Sequence, residues 1–586
     1  RQHHSFIRLP DDNYKPRVFD PRSGFNGLSF MDYASPINED IRTRYITRHR
    51  LEKKDPTAAI SEPVEPITYY VDRGAPEPIK SALIEGASWW NQAFEAAGYK
   101  DAFIVKEMPA DADPMDVRYN LIQWVHRSTR GWSYGASVAD PRTGEIIKGH
   151  VSLGSLRVRQ DYLIAQGLFS PFRDGSNNDE QLMKLALARL RQLSAHEVGH
   201  TIGLAHNFAS STNDRASVMD YPHPLVVLSE GEMSIDRVYD NKIGEWDKRT
   251  ILYGYADFTE EVDEDQALQT ILHENDEMGL VYISDRDARP QSGAHPYAHL
   301  WDNGADPVAE LYRLSEVRQH ALNKFGLSSL KERQPMGTLE NVLVPLYLSH
   351  RYQVEAVAKL VGGLHYTYAV KDQSVQPVNV VDNQMQKAAL NALLETVSPS
   401  YLEIPESIIS LIPPMPIGYS RGRENFKIKT GNTFDPLSAA ESAMHHTFSF
   451  ILNKSRMARI NEYHARGLQS MGVADLLNTI EMTTRDLNHT GLALQLALLR
   501  EKVFIHHLMR LIADDSASDQ VKAITLHHLN RIKGDLASRS SNQYTLEHKL
   551  YLNNLIERFI KNPKDFKFPS PPPMPDGSPI GCSVEW

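Results

Sequence analysis

Residues 196–206 read His-Glu-Val-Gly-His-Thr-Ile-Gly-Leu-Ala-His. His196 and His200 are four apart, so on a helix they share one face and can hold one small cation together. Glu197, beside the first, can reach a water at that cation without being a ligand. Gly203 breaks the helix and permits a sharp turn, which brings His206 back toward the same point. Three neutral nitrogens leave a fourth position for water, as a catalytic zinc site requires. A bare HExxH also arises by accident on polar helices; five specified positions in one register are a far more specific signal. Met219 follows His206 by 13 residues, within Ser217-Val218-Met219-Asp220-Tyr221.

Other groups invite weaker readings. Asp285, Asp287, His295, His299, Asp302 and Asp306 fall within 22 residues. They suit a calcium site, a specificity loop or, as the favoured expectation, a polar connector. The pairs His506-His507 and His527-His528 read as ordinary helix residues. Cys582, the single cysteine, sits in a Pro-rich tail with no motif around it, which argues against an inhibitory thiolate; no internal disulfide or cysteine zinc site can form.

The elements that must position the histidines follow from periodicity. Leu182, Leu185, Leu190, Leu193 and Val198 recur at helical spacing over 181–204. Upstream, Ile67–Val71 reads as a strand and 79–97 as an amphipathic helix ended at Gly98. Phe103–Val105 and Leu121–Val125 are apolar runs. Residues 134–153 read as a hairpin turning at Asp140–Gly144. Either 135–138 or 150–153 could offer an edge to an extended peptide, or form an ordinary sheet edge. The Arg-rich stretch 42–54 suits a short basic helix or a solvated face. Beyond about 261, long helical runs are expected at 264–275, 307–324, 339–361, 383–397, 435–453, 491–514, 518–537 and 543–561. This region carries no further His/Glu string with ligand spacing, so it is expected to shape access to the cleft without a second centre of its own.

With 586 residues, 41% hydrophobic and 23% charged, the chain is long enough for several domains and is not low-complexity. A net charge of −11 argues against nucleic acid as an electrostatic partner. No apolar run reaches membrane-span length. Arg1 is neither an initiator Met nor the start of a signal-like stretch, and suggests a mature or trimmed form.

The HExxHxxGxxH string followed by a Met turn resembles the metzincin clan of zinc metalloendopeptidases. The Ser-x-Met-x-Tyr form is similar to the astacin and serralysin branches, whose turn tyrosine approaches the metal. FDPRSGF (19–25), RHRLEKKDP (48–56), VADPRTGEI (138–146), IGEWDKRTILYGY (243–255) and HPYAHLWDNGADP (295–307) resemble a bacterial family of large zinc-dependent metalloproteases with flanking domains of unknown function. The resemblance implies an α+β fold: an extended N-terminal segment (1–60), a metzincin-like domain (61–258) with a twisted mixed sheet, zinc helix and Met turn, and a mainly helical region (259–586) with a Pro-rich tail. It implies one Zn2+ on His196, His200 and His206, Glu197 as general base, Met219 beneath the site, and Tyr221 as a donor to the oxyanion. Protein or peptide is the implied substrate, and a secreted, periplasmic or cell-envelope location in a bacterium is expected. Two alternatives stay open: a zinc amidase acting on a peptidoglycan cross-link, and a non-catalytic zinc-retaining binding protein. An intact Glu197 argues against the second.

Overall fold

The computed structural model describes residues 4–128, 131–172, 179–371, 376–537 and 542–577. The N-terminal segment forms an antiparallel hairpin of β1 (Gly27–Met31) and β2 (Arg42–Ile46). Arg42-Thr43-Arg44-Tyr45-Ile46 alternates in period two, so it extends instead of coiling into the basic helix considered for 42–54. Arg48 and His49, just beyond, are buried and not part of a solvated face.

Strands β3 (Ile67–Val71), β4 (Phe103–Glu107), β5 (Asn120–Val125), β6 (Tyr134–Ala139) and β7 (Ile146–Gly154) build a five-stranded sheet in the order β4-β3-β5-β7-β6. The first four in that order run parallel, and β6 pairs antiparallel with β7, so the sheet is mixed. Asp140 closes the β6–β7 turn by accepting the amide of Gly144 at 2.9 Å. Of the two segments considered as a free edge, 135–138 lies in the edge strand β6. Residues 150–153 lie in β7, enclosed between β5 and β6.

The apolar periodicity of 79–97 folds as α1 (Ile79–Ser88) and α2 (Trp90–Ala96), ending at Gly98 with φ 87°. After β7 come α3 (Leu156–Phe169) and the long α4 (Glu180–Thr201), which carries the first two histidines. Helix α1 lies along α4, where Ser194 Oγ donates to Leu83 O at 2.7 Å. Trp90 Nε1 donates to Ala195 O at 2.7 Å, tying α2 to the residue before His196.

Helix α4 also joins two hydrophobic cores. Leu190, Leu193 and Val198 pack with the sheet, α1 and α2. Leu182 and Leu185 belong to the larger core of the helical region. That region begins after α5 (Glu245–Tyr255) with α6 (Glu264–Glu277), α7 (Asp285–Ala288) and α8 (Pro307–Lys324). The expected run 339–361 is two helices, Leu339–Tyr347 and Arg351–Ala358, with Pro345 withdrawing an amide from the first. Two helices not foreseen, Lys454–Ala465 and Val473–Thr484, complete the middle of the bundle. The Pro-rich stretch from 569 has no helix or strand and lies against the bundle, where Pro575 O accepts from Arg351 Nη1 at 2.6 Å. Cys582 and most of the polar loop at 173–180 lie outside the described residues. No helix among the described residues is long and apolar enough to cross a membrane.

Candidate zinc centre

His196 and His200 project from the last two turns of α4. Two close approaches fix where that helix ends. At Gly199 a Cβ would lie 2.2 Å from Met219 Sδ, so the absence of a side chain lets Met219 tuck against the helix between the two ligands. At Gly203 the backbone takes φ 106°, and a Cβ would lie 1.9 Å from Thr47 O. The N-terminal segment closes on this turn: Asn26 N donates to Gly203 O at 2.8 Å and Ala205 N to Gly24 O at 2.8 Å. The chain therefore reverses and carries His206 back to the other two.

Every ring has its Nδ1 engaged. His196 Nδ1 pairs with Val218 O at 2.7 Å, His200 Nδ1 with Leu204 O at 2.9 Å, and His206 Nδ1 with Asp285 Oδ2 at 2.7 Å. Each partner can only accept, so each Nδ1 carries the proton and each Nε2 presents a lone pair. One ligand atom from each lies within 4.8 Å of the others, and His200 Nε2 is 3.1 Å from His206 Nε2. Two nitrogens each ~2.1 Å from one tetrahedral ion stand roughly 3.4 Å apart, so the donor set fits zinc. Burial lowers all three pKa values, that of His200 to about 3, which keeps the imidazoles neutral as ligands must be. Among the described residues this is the one group of three or more His, Cys, Asp or Glu placed to hold a metal.

Glu197 is fully buried, and its carboxylate makes no well-formed hydrogen bond. The polar groups that face it are the Gly135 amide of β6 and the guanidinium groups of Arg157 and Arg189. Burial raises its pKa to about 8, against the pull of the two arginines. Tyr221 is buried with its ring 5.3 Å from that of His196 and 4.9 Å from that of His206. Its hydroxyl accepts from Arg289 Nη2 at 3.0 Å.

The segment 217–221 is held from α5. Asp247, buried at the first turn of that helix, accepts from Ser217 Oγ (2.6 Å), Val218 N (2.8 Å) and Gly244 N (3.0 Å). Holding Val218 in place holds the carbonyl that orients His196.

Asp247, Asp285 and Arg289 were not foreseen as site residues. Asp285 stood within the acidic string read as a connector; Asp247 is the acid of a Gly-x-x-Asp helix start, and Arg289 carries no sequence signal. The stretch 285–306 proves to be more than a connector. Asp287 is bound by Tyr366 and Tyr368, His295 and His299 are buried, Asp302 is buried, and Asp306 caps α8. Of the histidine pairs, His507 Nε2 lies 3.1 Å from His445 Nδ1, while His528 faces Glu481.

A family model described as Met-zincin matches residues 178–489, more than half of the chain. A second, described as Domain of unknown function (DUF5117), matches residues 1–54. No curated protein and no solved structure gives a match. With three neutral histidines converging on a zinc-sized point inside that match, the chain belongs to the Met-zincin family and is a zinc-dependent metalloprotease.

Proposed function

We propose that the chain is an endopeptidase in which Glu197 is the general base and Tyr221 the oxyanion donor. The observation that carries this reading is the Glu197 carboxylate. It follows His196 on α4 and is fully buried, and neither of its oxygens makes a hydrogen bond of good geometry. Burial raises its pKa against the pull of Arg157 and Arg189, which suits a carboxyl that takes up and releases a proton. Zinc, when bound, polarises the scissile carbonyl and lowers the pKa of its water to about 7. Glu197 takes the proton of the attacking water and delivers it to the leaving amine. The Tyr221 hydroxyl donates to the oxygen on which charge develops. Residues 217–221 serve as the Met turn, with Met219 supporting the ligand helix from below. An extended substrate adds as a further strand along β6, the sheet edge that lies against α4.

The test is digestion of a denatured-protein mixture by the zinc-loaded chain, with new termini mapped by mass spectrometry. Internal cleavages that stop on chelation and return with zinc are expected. Trimming at chain ends alone, or activity confined to peptidoglycan cross-links, would overturn the endopeptidase reading.

A further inference from the structure

Two of the three ligand histidines are oriented by backbone carbonyls, Val218 O and Leu204 O. The third is different. His206 donates to a carboxylate, Asp285, which lies 79 residues downstream on α7. The other oxygen of Asp285 accepts from Arg289 Nε. Arg289 in turn donates through Nη2 to the Tyr221 hydroxyl at 3.0 Å. Its guanidinium lies over the rings of Tyr221 (5.3 Å) and Phe208 (5.5 Å), and Phe208 packs 5.0 Å from His206. One ion pair thus touches both a ligand and the turn tyrosine.

The helical region holds this pair in place. Lys359 is buried, and its Nζ donates to Ala288 O at 2.6 Å and Ala298 O at 2.5 Å, closing the loop that carries Arg289. Asp287, two residues from each member of the pair, accepts from Tyr366 at 2.7 Å and from Tyr368. Tyr368 also bonds Ser284, the residue before α7, at 3.0 Å. Leu364 N donates to Ala294 O at 2.9 Å.

We propose that Asp285 and Arg289 are positioning residues of the zinc centre, supplied by α7 and braced by the helical region. The proposal rests on the endopeptidase reading for Arg289 but not for Asp285. Asp285 fixes the His206 tautomer with Nε2 unprotonated and raises the basicity of that imidazole, as carboxylates behind metal-bound histidines do. Arg289 has only donors. The Tyr221 oxygen is therefore the acceptor in their bond, which holds the phenol in place. Arg289 thus fixes where the Tyr221 oxygen sits beside the histidines.

The experiment uses the full chain and separates the two roles. For Asp285, zinc affinity is measured by competition with a chromophoric chelator, and the melting temperature of the metal-free protein is recorded alongside. Asp285→Ala should weaken zinc binding by about 10–100-fold. Asp285→Asn keeps an acceptor and the side-chain shape, so it should fall between Ala and wild type and reports even if Ala does not fold. Affinity within twofold of wild type in Asp285→Asn and Asp285→Ala alike would overturn the role of Asp285, whatever the substrate is. For Arg289, kcat is measured at saturating zinc in Arg289→Ala, Tyr221→Phe and the double variant. Acting through Tyr221, Arg289→Ala should lower kcat by about 10–100-fold with KM little changed. It should add almost nothing once the Tyr221 hydroxyl is gone. Losses that multiply independently in the double variant would overturn the role of Arg289.

Discussion

At the scale of the residue, the centre works by commitment. Each imidazole spends its Nδ1–H on a fixed acceptor, which fixes the tautomer with Nε2 unprotonated. Glu197 is the converse case, buried with no hydrogen bond of good geometry to its carboxyl. His196, His200 and His206 were legible because a helix and one glycine turn bring them together within eleven residues. The place of Tyr221 two residues past Met219 puts its ring against those of His196 and His206. Asp285 and Arg289 were not legible, because they meet the site across 79 and 68 residues, and only tertiary packing closes such distances. Tyr221→Phe keeps the packed ring and removes the hydroxyl alone. The expected outcome is an unchanged melting temperature and a kcat lower by about a hundredfold, near 3 kcal/mol in the transition state. Steady-state kinetics with a quenched peptide substrate checks it; an unchanged kcat would return Tyr221 to a packing role.

At the scale of the element, what matters is how α4 and the 217–221 turn are clamped together. Asp247 satisfies two buried donors of that turn and the half-buried amide of its own helix start. Losing the acceptor strands those donors at about 1–3 kcal/mol each, partly relieved by relaxation. Asp247→Ala is therefore expected to destabilise the fold by about 3 kcal/mol in urea denaturation and to weaken zinc binding through Val218 and His196. A variant as stable as wild type would show that α5 does not hold the turn. Elements with a clean period were legible: β3, α4 and the helix at Pro307–Lys324 fall where their patterns put them. Helix α3 was not, because the face it buries includes Arg157, Gln160, Asp161 and Gln166 and leaves little apolar stripe to read. The 42–46 strand was obscured by its arginines, whose charge suggested a helix while the period was that of a strand.

At the scale of the whole molecule, one helix belongs to two cores, and loops anchored in the helical region reach the zinc centre. The sequence showed that a large helical region follows the sheet, but not that it contributes to the site, since contacts between distant loops leave no local pattern. Burial also sets how the whole chain responds to acid. It lowers the pKa of His49 and His506 to about 4 and of His223, His295 and His445 to about 3. The unfolded chain takes up these protons near pH 6.5, so stability present above that pH is lost as pH falls toward 4. Burial acts oppositely on Asp161, raised to about 6, and on Asp220 and Asp247, raised to about 7, which favour the fold on acidification. The lowered histidines, His299 among them, outnumber the raised acids, Glu197 and Asp302 included, so the metal-free chain should melt lower at pH 5 than at pH 7. His445→Gln, on the helix Pro436–Ile451, should shrink that difference, by up to about 1.4 kcal/mol per pH unit. Calorimetry at the two pH values checks this; an equal or larger drop in the variant would contradict it.

The central claim, that a buried Glu197 does chemistry at a three-histidine zinc centre, is tested most directly by Glu197→Ala. Zinc content and peptide cleavage should be measured on the same preparation. Because Glu197 is not a ligand, the variant should retain one zinc per chain. With the proposed base removed, turnover should fall by about 10²–10⁴-fold. A variant that keeps its zinc and cleaves as fast as wild type would contradict the account.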